Sequence, residues 1–126
     1  MIELEEAIAI HDEIIRESGG VSGVLFKGLL ESCLQKPLLE LYGYQLYQDI
    51  FEQVSALMHC IIFYHPFVDG NKRTGLIIAK MYLEINGLTL NAEIEECVNF
   101  TIEIAQGKKQ IIDIAEWIRN HTNISV

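Results

Sequence analysis

Basic side chains are scarce in this chain. Its 126 residues hold 9 Lys and Arg against 18 Asp and Glu, a formal net charge of −9. Phosphate backbones and anionic bilayers are bound through an excess of cations. The balance therefore argues against nucleic acid or a membrane surface as the main partner. No apolar run reaches the ~18–20 residues that a membrane span needs, and no basic-then-apolar leader precedes the first helical pattern. Cysteine is thin as well: Cys33, Cys60 and Cys97 are an odd number without C-x-x-C spacing. The expectation is three small buried thiols in a reducing cytoplasm, none catalytic, since no activating group stands beside one in sequence. Internal repeats, linkers and the apolar–polar alternation of strands are also missing, so the expected fold class is all-α.

Half of the residues are hydrophobic, enough for a core without staples, and the length fits a single domain over residues 1–126. Leu4, Ile8, His11 and Ile15 form one stripe of an amphipathic helix over 4–17, ended by Gly19-Gly20. His11 lies inside that stripe, where a core histidine held by a hydrogen bond is the expected state. A short helix follows from Leu29 to Gln35, terminated by Pro37. Pro37 to Tyr44, apolar but broken by Pro and Gly, reads as a covering loop. Tyr47, Phe51, Val54, Met58 and Ile61 form a packing seam on a helix over Gln45 to Tyr64. Leu76 to Leu83 is apolar nearly all round, which predicts a buried central helix. Two more amphipathic helices are predicted over Glu93 to Gln106 and Gln110 to Asn120. Trp117 and His121 are expected to pack or cap.

Between the third and fourth helices runs His65-Pro66-Phe67-Val68-Asp69-Gly70-Asn71-Lys72-Arg73-Thr74. This polar loop opens directly into a helix, whose first turn carries unpaired N–H groups and the positive end of the macrodipole. Gly70 supplies a tight turn and Asn71 is a favoured N-cap residue, and the N–H groups of both, with the Asn71 side chain, are candidates to hold phosphate oxygens. Lys72 and Arg73 stand where that dipole disfavours cations, a violation that a bound polyphosphate would reverse. Asp69 is a hard oxygen ligand suited to Mg²⁺ on such a phosphate. An imidazole ordinarily titrates near neutrality, which makes His65 the candidate general base. Pro66 and Phe67 would pin the loop to the core.

The run H-P-F-x-D-G-N-K-R-T-G resembles the signature of the Fic/Doc family, and Asn71-Lys72-Arg73 resembles its death-on-curing (Doc) toxin branch. The resemblance extends to His11-Asp12, Gly19-Gly20, Gly23, Gly28-Leu29-Leu30-Glu31-Ser32 and Asn86-Gly87, covering about residues 8 to 90. It implies an all-α bundle of about six helices around a buried central helix. Leu25-Phe26 stand where related Doc sequences often carry Arg-Asp. Glu31 keeps the family pattern, with a structural or a functional role left open.

The resemblance further implies a toxin that takes ATP with Mg²⁺ and moves the γ-phosphoryl group to a protein hydroxyl. The typical target is a threonine of elongation factor Tu, so translation stops, and a separate antitoxin restrains the toxin. Many Fic proteins carry their own inhibitory helix instead; the nearest match, Thr89 to Glu93, departs from that motif at Ile94. Lys72 replaces a glycine usual in the AMP-transferring branch. Tyr42 and Tyr44 would belong to a flap that holds the target's backbone. The rival readings are AMP transfer to a protein hydroxyl and a non-enzymatic module whose loop binds an anion or a partner.

Overall fold

A computed structural model of the chain describes residues 1–125. Among these, six α-helices carry the fold: α1 (Leu4–Ser18), α2 (Lys27–Gln35), α3 (Ile50–Tyr64), α4 (Asn71–Ile85), α5 (Ile94–Ala105) and α6 (Ile111–Asn120). The all-α bundle is as expected, and none of its helices is long and apolar enough to cross a membrane. Local chemistry sets the helix starts. Glu3 and Glu6 form a capping box at α1, and Gln110 and Asp113 another at α6. At α3 the Asp49 carboxylate accepts the Glu52 N–H at 2.8 Å. This cap is why the helix predicted from Gln45 begins five positions later, at Ile50.

The central helix is α3, not the stretch around Leu76 to Leu83. Val54 to Met58 and Cys60 to Ile62 are all buried, and α3 packs against α2, α4, α5 and α6. Helix α4, apolar over most of Leu76 to Leu83, is only partly enclosed, with Ile77 and Ile85 exposed. Its Ile77 and Met81 line an open groove with Ile10, Glu13, Ile14 and Glu17 of α1. Composition alone could not distinguish a helix surrounded by others from one with an open side.

Helices α3 and α4 are in close contact at Gly75. A Cβ placed there would stand 2.5 Å from Ile62 Cγ1. Gly75→Ala would therefore push the helices apart, an overpacking cost of about 1–3 kcal/mol.

Two short antiparallel pairs complete the fold. Strands β1 (Glu40–Leu41) and β2 (Tyr44–Gln45) make a hairpin, with Leu41 opposite Tyr44. The covering loop expected at Pro37 to Tyr44 is thus partly a hairpin, built on strands too short to show alternation. Its turn residues Tyr42 and Gly43 both have positive φ, 53° and 83°, the handedness that matches strand twist. Strand β3 (Leu88–Leu90) pairs with β4 (Thr122–Ile124). Thr89 is therefore a strand residue, and its Oγ1 meets Ser125 Oγ at 2.5 Å.

The cysteine expectation is corrected. Cys33 of α2 and Cys60 of α3 form a disulfide, with Cα atoms 5.3 Å apart, leaving Cys97 as the free, buried thiol. Helix packing brought together two residues whose sequence spacing gave no hint of pairing. Trp117 stacks on Phe100 with ring centroids 4.1 Å apart, and His121 caps α6, both as expected.

Candidate active site

Helix α3 ends at Tyr64, and His65 terminates it in the left-handed conformation, φ 55° and ψ 64°. The chain then crosses to α4, whose N-cap is Gly70 at φ 74°. Asn71 is therefore not the N-cap. It is the first helical residue, and its buried side chain turns back onto the loop. Nδ2 donates to the Phe67 carbonyl and Oδ1 accepts the Phe67 N–H, both at 3.0 Å. With Gly70 offering no capping side chain, the first intrahelical bond is Thr74 N–H to the Gly70 carbonyl at 2.9 Å. The N–H groups of Asn71, Lys72 and Arg73 precede it and have no intrahelical acceptor, the arrangement that receives anions.

A second segment braces the loop through its backbone. The Leu25 and Phe26 N–H groups donate to the Pro66 carbonyl at 2.8 and 3.0 Å, and the Val68 N–H donates to the Gly23 carbonyl at 3.0 Å. Val24 and Phe67 form an antiparallel bridge. The side chains of Leu25 and Phe26 are exposed. Exchanging Arg-Asp for Leu-Phe here therefore leaves the bracing untouched and changes only the surface beside the loop. Pro66 and Phe67 are buried, as pins should be.

His11 is the core histidine anticipated. Its ring stacks on Phe67, centroids 3.9 Å apart and planes at 7°, and Nε2 donates to the Asp69 carbonyl at 2.7 Å. That acceptor assigns the proton to Nε2. Glu31 is exposed, with no hydrogen bond from its carboxylate among the described residues.

Asp69 and Arg73 are brought together. Arg73 Nη2 lies 3.9 Å from Asp69 Oδ1. The Asp69 carboxylate accepts the Val21 N–H at 3.1 Å and the Gly70 N–H at 2.8 Å, so the Gly70 N–H expected to face a phosphate is already used. These two donors, in that order, hold its pKa below the ordinary carboxylate value, with Arg73 and His11 adding to the effect against desolvation. Arg73 Nη1 reaches the end of α1, donating to Ser18 Oγ and to the Gly19 carbonyl at 2.8 Å. Lys72 is exposed without an ion pair among the described residues, and His65, also exposed, makes no side-chain hydrogen bond among them. The candidates thus divide into an Asp69–Arg73 ion pair, 3.9 Å apart and partly exposed, and two solvent-facing groups. Sequence reasoning missed Ser18, Gly19 and Val21 as neighbours of the pair; Gly19-Gly20 read only as a helix end.

Asp69 offers oxygen donors of the kind Mg²⁺ prefers. Among the described residues no group of three or more His, Cys, Asp or Glu is placed to hold a metal. A cation at Asp69 would thus complete its shell with ligand oxygens and water. Tyr42 and Tyr44, at the hairpin tip, are 92% and 77% exposed and so are not packing residues.

Comparison with known proteins places this loop within a family. The Fic/DOC family model matches residues 1–83, which include the His65–Thr74 loop, the segment that braces it and the starts of α1 to α4. The chain is 35% identical over 77 residues to Toxin Doc of Mycolicibacterium smegmatis, spanning 61% of this chain and 59% of that protein. It is 30% identical over 118 residues to Protein kinase doc of Escherichia phage P1, spanning 94% of this chain and 92% of that one. With the loop and its bracing segment inside the family match and a Doc protein matched over 94% of the sequence, the chain belongs to the Fic/DOC family, on the Doc toxin branch.

Proposed function

We propose that the chain is a cytoplasmic Doc-type toxin. It transfers the γ-phosphoryl group of ATP to a hydroxyl of a target protein, elongation factor Tu, and thereby blocks translation. The observation that carries this reading is the Asp69–Arg73 pair beside a helix start whose N–H groups lack acceptors. The names of the two relatives, a toxin and a protein kinase, support it further.

Each residue has a part in the transfer. The N–H groups of Asn71, Lys72 and Arg73, with the side-chain cations of Lys72 and Arg73, hold phosphate oxygens. The Asn71 side chain acts indirectly, by fixing Phe67. Mg²⁺ at Asp69 would neutralise charge on the polyphosphate. His65 takes the proton of the target hydroxyl; that oxygen bonds to the γ-phosphorus as the bond to the ADP oxygen breaks. Exposed and without a side-chain hydrogen bond, the His65 imidazole has no structural task that competes with this one. Positioning and charge supply most of the catalysis in such transfers, so one short loop suffices. The hairpin bearing Tyr42 and Tyr44 holds the target. The antitoxin is assigned to the groove between α1 and α4, where Ile14, Ile77 and Met81 meet Glu13 and Glu17. Apolar residues flanked by cations would complement that surface.

A translation extract incubated with γ-labelled and, separately, α-labelled ATP tests the reading. Protein label from the γ position is the expected result. Label from the α position would establish AMP transfer instead, and none from either would leave a binding module. Transfer by His65→Ala would overturn the role given to His65.

A further inference from the structure

Helix α1 ends at Ser18, and the residues after it touch both charged groups of the Asp69–Arg73 pair. Arg73 Nη1 donates to Ser18 Oγ and to the Gly19 carbonyl. Two acceptors on one nitrogen fix the guanidinium plane. Neither Nε nor Nη2 makes a hydrogen bond among the described residues, and Nη2 lies 3.9 Å from Asp69 Oδ1. The edge left available is the one that offers two parallel N–H bonds to a phosphate. On the same turn the Val21 N–H donates to Asp69 Oδ2 at 3.1 Å.

Gly20 lies between these contacts. A Cβ there would stand 2.7 Å from Asp69 Oδ2 and 3.1 Å from Arg73 Nη2, and φ is +120°. Any side chain at this position must displace the carboxylate or the guanidinium. The turn therefore does more than end a helix.

We propose that the turn Ser18–Val21 is a positioning element that presets Asp69 and Arg73 as a pair for a metal–nucleoside triphosphate complex. Ser18 and Gly20 are its positioning residues. The proposal rests on the functional reading above. Its physical basis is preorganisation. An arginine on a solvent-facing helix turn samples many rotamers, and fixing it before the ligand arrives removes that ordering cost from binding. Ser18 acts through Arg73, and Gly20 through both members of the pair; neither needs to touch the nucleotide.

The test compares the chain with Ser18→Ala, Ser18→Thr, Gly20→Ala and Gly87→Ala. Affinity for a non-hydrolysable ATP analogue with Mg²⁺ is measured by calorimetry, together with the Tm of each protein and the KM and kcat of transfer. Ser18→Ala and Gly20→Ala are expected to weaken binding roughly ten-fold or more, as small displacements at a preset site do. Ser18→Thr keeps the hydroxyl and restores affinity. Gly87→Ala is the control for backbone strain away from the turn, since its φ is +77° but an added Cβ meets nothing within 4 Å. Unchanged affinity in Ser18→Ala, or equal losses in Gly87→Ala and Gly20→Ala at matched Tm, overturns the proposal. Failure of the wild-type chain to bind the analogue is a separate result, which would sink the functional reading and this assignment with it.

Discussion

The side-chain amide of Asn71 pairs with Phe67 as one strand residue pairs with another, giving a donor to its carbonyl and an acceptor to its N–H, each at 3.0 Å. These groups are buried, so no water replaces the amide if it is lost. Asn71→Ala is expected to destabilise the protein by about 2–3 kcal/mol, the cost of leaving buried backbone groups unpaired. Urea denaturation measures this directly. A change under about 0.5 kcal/mol would show that the clamp contributes nothing.

His65 sits at φ 55°, a conformation that costs a residue with a Cβ about 1–2 kcal/mol. His65→Gly relieves the strain and His65→Ala does not. The glycine variant should therefore be more stable than the alanine variant by about 1 kcal/mol, after the larger unfolded-state entropy of glycine is allowed for. Both are expected to lose transfer. A comparison of their Tm values with wild type checks whether strain is stored at the proposed proton acceptor.

His59 lies partly buried on α3, its ring 5.2 Å from that of Phe63. Burial first, and the charge of Lys36 second, hold its pKa below the ordinary 6.5. As pH falls through 6.5 the unfolded chain takes up a proton that the folded chain refuses. The contribution of His59 to stability is therefore complete above that value and declines below it. The fall in Tm between about pH 7 and about pH 5 should be smaller in His59→Gln than in wild type. Parallel curves would assign the acid sensitivity elsewhere.

The Cys33–Cys60 bridge joins residues 27 apart in sequence, and closing a loop of that size stabilises by about 3 kcal/mol. Alkylation after denaturation without reductant should label Cys97 alone, and reduction should expose all three thiols. The reduced protein is expected to lose stability by about that amount. Labelling of all three without reductant would show that the bridge does not form in solution.

Tyr42 and Tyr44 project from the hairpin with little contact to the core, and changes at such surface positions stay within about 0.5 kcal/mol. Converting both to Ala should leave Tm and nucleotide affinity intact while target phosphorylation is lost. Full transfer in the double variant would remove the flap from the mechanism.

The loop was legible because its residues announce themselves: a Gly before a helical pattern, two cations against the dipole and an isolated acid. The partners of that loop were not. Val21 meets Asp69 through a backbone N–H, and Leu25 and Phe26 meet Pro66 in the same way; side-chain identity does not encode such contacts. Asn71 was misplaced by one position because Gly70, free to adopt a positive φ, took the N-cap and left the amide to find Phe67. The start of α3 could have been read from Asp49 and Glu52, a capping pair overlooked beneath the stronger apolar seam. Which helix lies at the centre depends on how many neighbours surround it, and no stripe on a single helix states that.

The missing side chain at Gly75 has one more consequence. Since α3 and α4 lie flush there, against Ile62, His65 and Gly70 hang from what amounts to a single post. A nucleotide bound as proposed would not prise the two ends of the loop apart; accommodation would come from the hairpin, the 18–26 stretch and the long cationic side chains. Divergence in what such a protein recognises can then accumulate in those surrounding parts, while the machinery between the two helices stays as it is.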